Sequence, residues 1–171
     1  EDPSLKHIFA CDYSAKAVDL VRTFRDFDSE RMTAFVHDLS CDAQFDSEIV
    51  APASIDAITA IFVLSALHPD RLSVAFGKLF AALRPAGLLL FRDYGRYDLT
   101  QLRLKPDRLI DDDFYFRGDG TTVHFFTLEK LRALAEAAGF VVIEERNDRR
   151  LITNRFRKLK MYRNWIQMKF I

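Results

Sequence analysis

The stretch IFACDYSAKAVDLVRTF, residues 8–24, decides how this chain is read. Ile8-Phe9-Ala10-Cys11 is a short apolar strand ending at Asp12, and Ser14 stands where a helix N-cap belongs. From Ala15 to Phe24 the apolar residues Ala17, Val18, Val21 and Phe24 recur at helical spacing. A strand, an acid and a capped helix make one β–α unit, and the pattern repeats outward from it. Met32 to His37 predicts a second strand, closed by Asp38-Leu39. Ile55 to Leu67 is a long apolar run whose β-rich core, Ile58 to Val63, reads as a buried central strand. Asp70 to Leu83 predicts the next helix, stopped by Arg84-Pro85-Ala86-Gly87. Leu88 to Phe91 is then a strand, ending at Arg92-Asp93-Tyr94-Gly95.

Arg96 to Thr122 is polar and irregular, and a loop of that length in a compact domain suits a lid or substrate insertion, here spanning 96–126. Thr127 caps a helix from Leu128 to Ala138 that ends on Gly139. Phe140 to Glu145 and Met161 to Ile171 read as two closing strands, paired antiparallel through the segment between them. The whole order implies an α/β fold over a single domain, 1–171: a mostly parallel sheet covered on both faces, with a C-terminal antiparallel hairpin. No repeat or low-complexity segment interrupts it.

Lys and Arg number 25, as do Asp and Glu, so the formal net charge is zero. That balance argues against broad, non-specific nucleic-acid binding but allows a local basic patch. Arg146 to Lys169 is one, with Asp148 as its only acid. Cys11 and Cys41 lie far apart without metal-ligand spacing, which argues against a disulfide framework or a zinc site and suits a reducing, intracellular compartment. No apolar run reaches the roughly 18 residues that span a bilayer. Glu1-Asp2-Pro3-Ser4 is neither a signal peptide nor an initiator-Met start, so the chain is read as a fragment whose front end lies elsewhere.

Six strings carry a resemblance: FACDYSAKAVDLV (9–21), FVHDLS (35–40), IFVLSALHPDR (61–71), LFRDYGRYD (90–98), FYFRGDGTTVHFFT (114–127) and DRRLITNRFRKLKMYRNWIQMKF (148–170). In this order they resemble the methyltransferase-like tRNA 3-methylcytidine family, over essentially the whole chain. The resemblance implies a Rossmann-like class I methyltransferase sheet, S-adenosylmethionine as cofactor, and methyl transfer to cytosine N3 in the tRNA anticodon loop. Its implied partners are tRNA and an optional accessory protein subunit, with no membrane, and its implied compartment is cytoplasmic or mitochondrial. MYRNWIQ (161–167) looks most like the branch acting on threonine and arginine tRNAs, or its mitochondrial relative. The family's first strand and glycine loop are not matched, since the earliest glycine is Gly77. Thr122 stands where the family usually shows Arg, and His124 where it often shows Tyr.

Each candidate residue has a bland alternative. Asp12, after the first strand, is placed to accept hydrogen bonds from ribose hydroxyls, or is a carboxylate favoured by the helix dipole. Tyr13 lines the same pocket or covers the helix end. Asp38 and Leu39 would hold an adenine by its amine and its face, or are a loop acid and a core leucine. Ile61 to Ser65 lie where the central strand emerges at the cofactor's methyl end. Ser65 and His68 face the target base, or His68 is a surface cap. Arg92, Asp93 and Tyr94 sit where an open α/β sheet binds its ligand. There Tyr94 stacks a flipped base and Asp93 takes its amino group or offsets ring charge, or Arg92 and Asp93 are a bracing ion pair. Arg96, Arg117, Asp119 and Phe125 close the nucleotide pocket, or Gly118 and Gly120 only build a turn over a core Phe125-Phe126 pair. Arg149, Arg150 and Arg155, with Asn154, Arg157, Lys158 and Lys160, contact the tRNA backbone or form a solvated face. Phe9, Phe24, Phe76, Phe80 and Trp165 are expected in the core. The rival function is a methyltransferase-like scaffold that has lost cofactor binding and serves inside a ribonucleoprotein or tRNA-modification complex. A methyltransferase for a protein or small molecule is the third.

Overall fold

The structure, a computed structural model, describes residues 6–156 and 158–171. Glu1 to Ser4 and Arg157 lie outside the described residues. Strand β1 (Ile8–Asp12) pairs parallel with β2 (Met32–Val36), from Ile8↔Met32 to Asp12↔Val36. Helix α1 (Ala15–Arg22) joins them, and the Ser14 side chain caps it by accepting from the Ala17 N–H at 3.3 Å. Arg22, in its last turn, ties it to β2 by donating Nη2 to the Ala34 carbonyl at 2.7 Å.

The larger sheet has the order β3 (Ile55–Ile61), β4 (Leu83–Tyr94), β9 (Leu159–Phe170), β8 (Val142–Asn154). β3 and β4 run parallel, while β9 is antiparallel to both β4 and β8. Parallel pairs followed by a C-terminal antiparallel hairpin are the sheet expected from the sequence, and no ladder joins β1 to β3 among the described residues. For the same reason β3 is not a buried central strand. Among the described residues it pairs on one side only, and Ala57, Thr59 and Ile61 are exposed.

Helix α2 (Leu72–Ala82) buries Leu72, Ala75, Phe76, Leu79 and Ala82. It stops before Arg84-Pro85-Ala86-Gly87 as expected, but β4 begins at once, and those residues form a bulge across from Ile55 and Ala57. Helix α4 (Leu128–Ala138) is capped by Thr127, whose hydroxyl accepts from the Lys130 N–H at 3.2 Å. It ends on Gly139 at φ +105°, a left-handed conformation that side chains resist. A Cβ there would stand 2.8 Å from the Phe80 ring. Gly139→Ala is therefore expected to lower unfolding stability by about 1–3 kcal/mol in urea titration.

The main core lies between α2, α4 and the larger sheet and is rich in phenylalanine: Phe76, Phe91, Phe126, Phe140 and Phe170 are all buried. Burying each such ring contributes roughly 2–3 kcal/mol. Three of the expected core aromatics are instead exposed: Phe9, Phe24 and Phe80. Phe9 and Phe24 lie on β1 and just past α1, where no layer covers them among the described residues. Trp165 is half-buried, held between two arginines.

The insertion is more ordered than its composition suggests. After the short helix α3 (Leu99–Leu102), β5 (Leu109–Asp111), β6 (Phe114–Phe116) and β7 (Thr122–His124) make an antiparallel meander. Strands of three residues are too short to show a period of two in the sequence. Thr122 Oγ1 docks the meander on the turn after β3 by donating to the Ala66 carbonyl at 2.9 Å. The closing hairpin is also longer than expected, since the segment between the two strands continues their ladder almost to its turn.

Candidate functional site

In a parallel ladder the carboxyl ends of neighbouring strands share an edge, so the tips of β1 and β2 lie together, as do those of β3 and β4. At the β1 tip Asp12 is exposed. Its Oδ1 accepts from the Ser14 N–H at 2.8 Å, and Oδ2 has no partner among the described residues. Tyr13 beside it is 74% exposed. The β2 chain hydrogen-bonds onto this tip, the His37 N–H donating to the Asp12 carbonyl at 3.0 Å. At the next turn Asp38 is exposed, and its Oδ1 accepts both the N–H (2.8 Å) and the hydroxyl (2.7 Å) of Ser40. Those bonds hold its carboxyl below the usual carboxylate range. Leu39 packs, half-buried, against the core. Two acids with an open oxygen each, a half-buried leucine and an exposed tyrosine form a hydrogen-bonding and apolar shelf that suits a nucleoside.

At the β3 tip Ile61 is 53% exposed. The next residue, Phe62, takes φ +54°, where a phenylalanine is strained by about 1 kcal/mol. Its N–H donates to the Arg92 carbonyl at 2.8 Å. Its ring lies 4.9 Å from Tyr94 and 5.7 Å from Trp165. Phe62 falls within the stretch expected at the cofactor's methyl end, though nothing in an apolar run marks it as the residue at which the chain leaves the sheet.

The β4 tip departs from expectation in what its side chains do. Asp93 is fully buried. Its Oδ2 accepts from the Ser65 N–H and its Oδ1 from the Tyr94 N–H, both at 2.9 Å. Burial pushes its carboxyl up to about 6 against the bonds from Ser65, Tyr94 and Leu64 that favour the charge. Ser65 is buried with it. Neither side chain is open to a substrate here. Together they pin the tight turn Leu64–Ala66 under the crevice. Arg92 does not pair with Asp93. It crosses the sheet to Asp148 Oδ2 (2.6 Å) and Gln167 Oε1 (2.8 Å), and stacks 4.6 Å from the Trp165 ring. Tyr94 remains half-buried between Phe62 and Phe125.

Phe125 is fully buried against Tyr94 and Tyr115, which makes it core rather than pocket wall, because β7 turns it inward. Phe126 is core as well. Arg96 is engaged with Asp113, which also accepts from Gln101. Arg117 and Asp119 pair at 3.4 Å across the turn built around Gly120 at φ +87°. His68 caps the turn before α2, its Nδ1 accepting from the Asp70 N–H at 3.3 Å.

Beyond the end of β4, where Tyr94 faces Trp165, the hairpin continues for six pairs, from Arg149↔Asn164 to Asn154↔Leu159. At the usual rise this arm projects roughly 17 Å past the strand tips. Arg149 and Arg155 are exposed on it, with Lys158, Lys160 and Tyr162, and Phe156 is 96% exposed at its turn. Arg150 is paired with Asp148 at 2.8 Å. Arg163 is held by the buried Asp98 at 3.0 Å and stacks on Trp165 at 4.9 Å, so it anchors the insertion to the arm.

The profile of the family described as "Methyltransferase domain" matches residues 3–145. The chain is 46% identical over 170 residues to the tRNA N(3)-cytidine methyltransferase METTL2 of Danio rerio, covering 99% of this chain and 47% of that protein. It is 48% identical over 172 residues to the tRNA N(3)-methylcytidine methyltransferase Mettl2 of Drosophila melanogaster, covering 99% and 51%. The chain thus spans about half the length of the curated relatives it matches. A solved S-adenosylmethionine-dependent methyltransferase from Mesorhizobium loti superposes with TM-score 0.69 at 16% identity, over 96% of this chain and 80% of that one. At that identity the superposition speaks for the fold, which is the class I methyltransferase sheet. Sequence over residues 3–145 and fold over nearly the whole chain agree, and the chain belongs to the methyltransferase-domain family.

Proposed function

We propose that this chain is the catalytic core of an S-adenosylmethionine-dependent enzyme that methylates N3 of a cytosine in the anticodon loop of tRNA. The observation that carries the reading is the shelf of Asp12, Asp38 and Leu39 at adjoining strand tips, in a chain with 46–48% identity to tRNA N3-cytidine methyltransferases. That shelf fits the adenosine half of the cofactor. The open oxygen of Asp12 suits ribose hydroxyls, the open oxygen of Asp38 suits the adenine amine, and Leu39 suits the ring face. Tyr13 and Ile61 flank the same space. S-adenosylmethionine, when bound, supplies a sulfonium methyl group, and cytosine N3 carries a lone pair at neutral pH to receive it, so no strong base is required.

The chain's own contribution is then placement. Tyr94 with Phe62 forms an aromatic floor on which an unpaired base stacks. Asp93 acts through the backbone it holds, shaping the turn below that floor, and a role for it against the charged ring is dropped because it is buried. The projecting arm, with Arg149 and Arg155, meets the RNA backbone, which positions rather than specifies. Arg96, Arg117 and Asp119 shape the insertion through their own pairs. An accessory protein subunit belongs to this reading as a companion proposal, as does a reducing compartment, cytoplasmic or mitochondrial, for Cys11 and Cys41. No helix among the described residues is long and apolar enough to cross a membrane.

The second reading is an inactive scaffold, a methyltransferase-like fold that does not bind the cofactor. Calorimetric titration with S-adenosylhomocysteine separates the two. The enzyme reading expects weak binding by these 171 residues and tight binding, with methylation of cytosine N3, by the natural full-length polypeptide. Absence of both in the latter would leave the scaffold. Separately, Arg149→Ala with Arg155→Ala should weaken tRNA binding at every sequence and lower the slope of log affinity against log salt by about 0.7–0.9 per lost phosphate contact. An unchanged slope would take the arm out of the RNA interface.

A further inference from the structure

The loop after β2 is gripped from below by two cations belonging to α2 and the residue before it. Lys78 lies on the inward face of α2 and is fully buried. Its ammonium donates to the carbonyl oxygens of Cys41 at 2.8 Å and Asp38 at 3.2 Å. His37 Nε2 lies 3.3 Å away and Cys41 Sγ 3.6 Å. No carboxylate pairs with Lys78 among the described residues. Arg71, just ahead of α2, donates Nε to the Ser40 carbonyl and Nη2 to Asp42 Oδ1, each at 2.5 Å. Three backbone carbonyls of the loop, at 38, 40 and 41, are thus held by positive charge from α2 and the residue just before it.

Packing does not ask for this arrangement. A buried ammonium without an acid partner is costly, and methionine would fill the same space with no ion to desolvate. What the charge does instead is fix backbone. Asp38 is held at its carbonyl by Lys78, and its Oδ1 by the N–H and hydroxyl of Ser40, whose own carbonyl is held by Arg71. The direction of the remaining Asp38 oxygen is thereby set before any ligand arrives. Leu39, the residue between, is set with it.

We infer that Lys78 and Arg71 are positioning residues that make the site selective for adenine over a base carrying a carbonyl in place of its amine. The inference rests on the proposed placement of an adenine against Asp38 and Leu39. A carboxylate aimed at an amine accepts a charge-assisted hydrogen bond from it and repels a carbonyl oxygen at the same point, and that discrimination survives only while the loop is held still.

The test is calorimetric titration of the natural full-length polypeptide with S-adenosylhomocysteine and with its inosine counterpart. The unaltered protein should prefer the adenine compound by at least roughly tenfold. Lys78→Met and Arg71→Ala should bring that ratio to within about threefold, mainly by weakening the adenine compound. Asp12→Ala should weaken both compounds alike and keep the ratio, which separates loop positioning from general damage to the site. If Lys78→Met fails to fold, Arg71→Ala, at a partly exposed position, carries the test alone. A ratio unchanged in the variant or variants that fold would overturn the inference while leaving the adenine placement standing. If the unaltered protein binds neither compound, the placement itself fails, and the inference with it.

Discussion

Asparagine at position 93 should remove a pH dependence of folding stability that the unaltered chain shows between about pH 4 and 7. Asp93 is fully buried, and its carboxyl is pushed up to about 6 from an ordinary 3.8, chiefly by burial. The folded state therefore holds this proton more tightly than the unfolded state. The resulting stability is complete below about pH 4 and disappears as pH rises through about 6. Its size is about 3 kcal/mol, from a shift of roughly two units. Other carboxylates move the opposite way: Asp148, bonded by Arg150 and Arg92, and Asp38, bonded by Ser40, sit below their usual range and lose stability in acid. The quantity to measure is therefore the difference between the two proteins. Urea unfolding at pH 4.5 and 7.5 should show that difference shifting towards the unaltered chain in acid by about 2–3 kcal/mol. A difference independent of pH would mean that Asp93 is not the buried acid described. Asp93→Ala, which leaves the N–H groups of Ser65 and Tyr94 unanswered, should cost about 2–4 kcal/mol at either pH.

Asp12→Ala should behave in the contrary way, with little effect on folding and a large one on binding. Asp12 is exposed, and its one internal bond, from the Ser14 N–H, is at the surface, so unfolding stability should fall by less than about 1 kcal/mol. If its carboxylate takes both ribose hydroxyls, two charge-assisted hydrogen bonds are lost at once. Affinity of the natural full-length polypeptide for S-adenosylhomocysteine should then drop by about 100-fold or more. Unaltered affinity in a folded Asp12→Ala protein would remove the ribose contact and, with it, the main support for the cofactor site. The two aspartates separate what their shared position at strand tips makes look alike. One is a brace inside the fold, the other an open acceptor on its surface.

Features governed by neighbours in the chain were legible from the sequence. Ser14 and Thr127 cap their helices, Gly139 ends α4 in a left-handed turn, and the strands of both parallel pairs lie where the apolar runs put them. The alternation of strand and helix, and the strings shared with a methyltransferase family, carried the fold class. Each of these depends on a few adjacent residues, so the local pattern suffices.

What the tertiary structure alone decided is the environment of side chains whose partners are distant in sequence. Nothing near Asp93 in the chain announces that Ser65 will bury it, nor does anything near Arg92 point to Asp148 and Gln167. Phe126 reads as core in the sequence, as it proves to be, but Phe125 suits a lid or a core equally, and only the docking of the insertion turns it inward. Lys78 interrupts an otherwise apolar helix face, a visible signal, but its meaning came from the carbonyls of a loop some forty residues earlier. Backbone dihedrals and caps answer to short-range sterics and hydrogen bonds, which residue order encodes directly. Burial and charge pairing answer to which surfaces meet, and that is known only once the chain has folded.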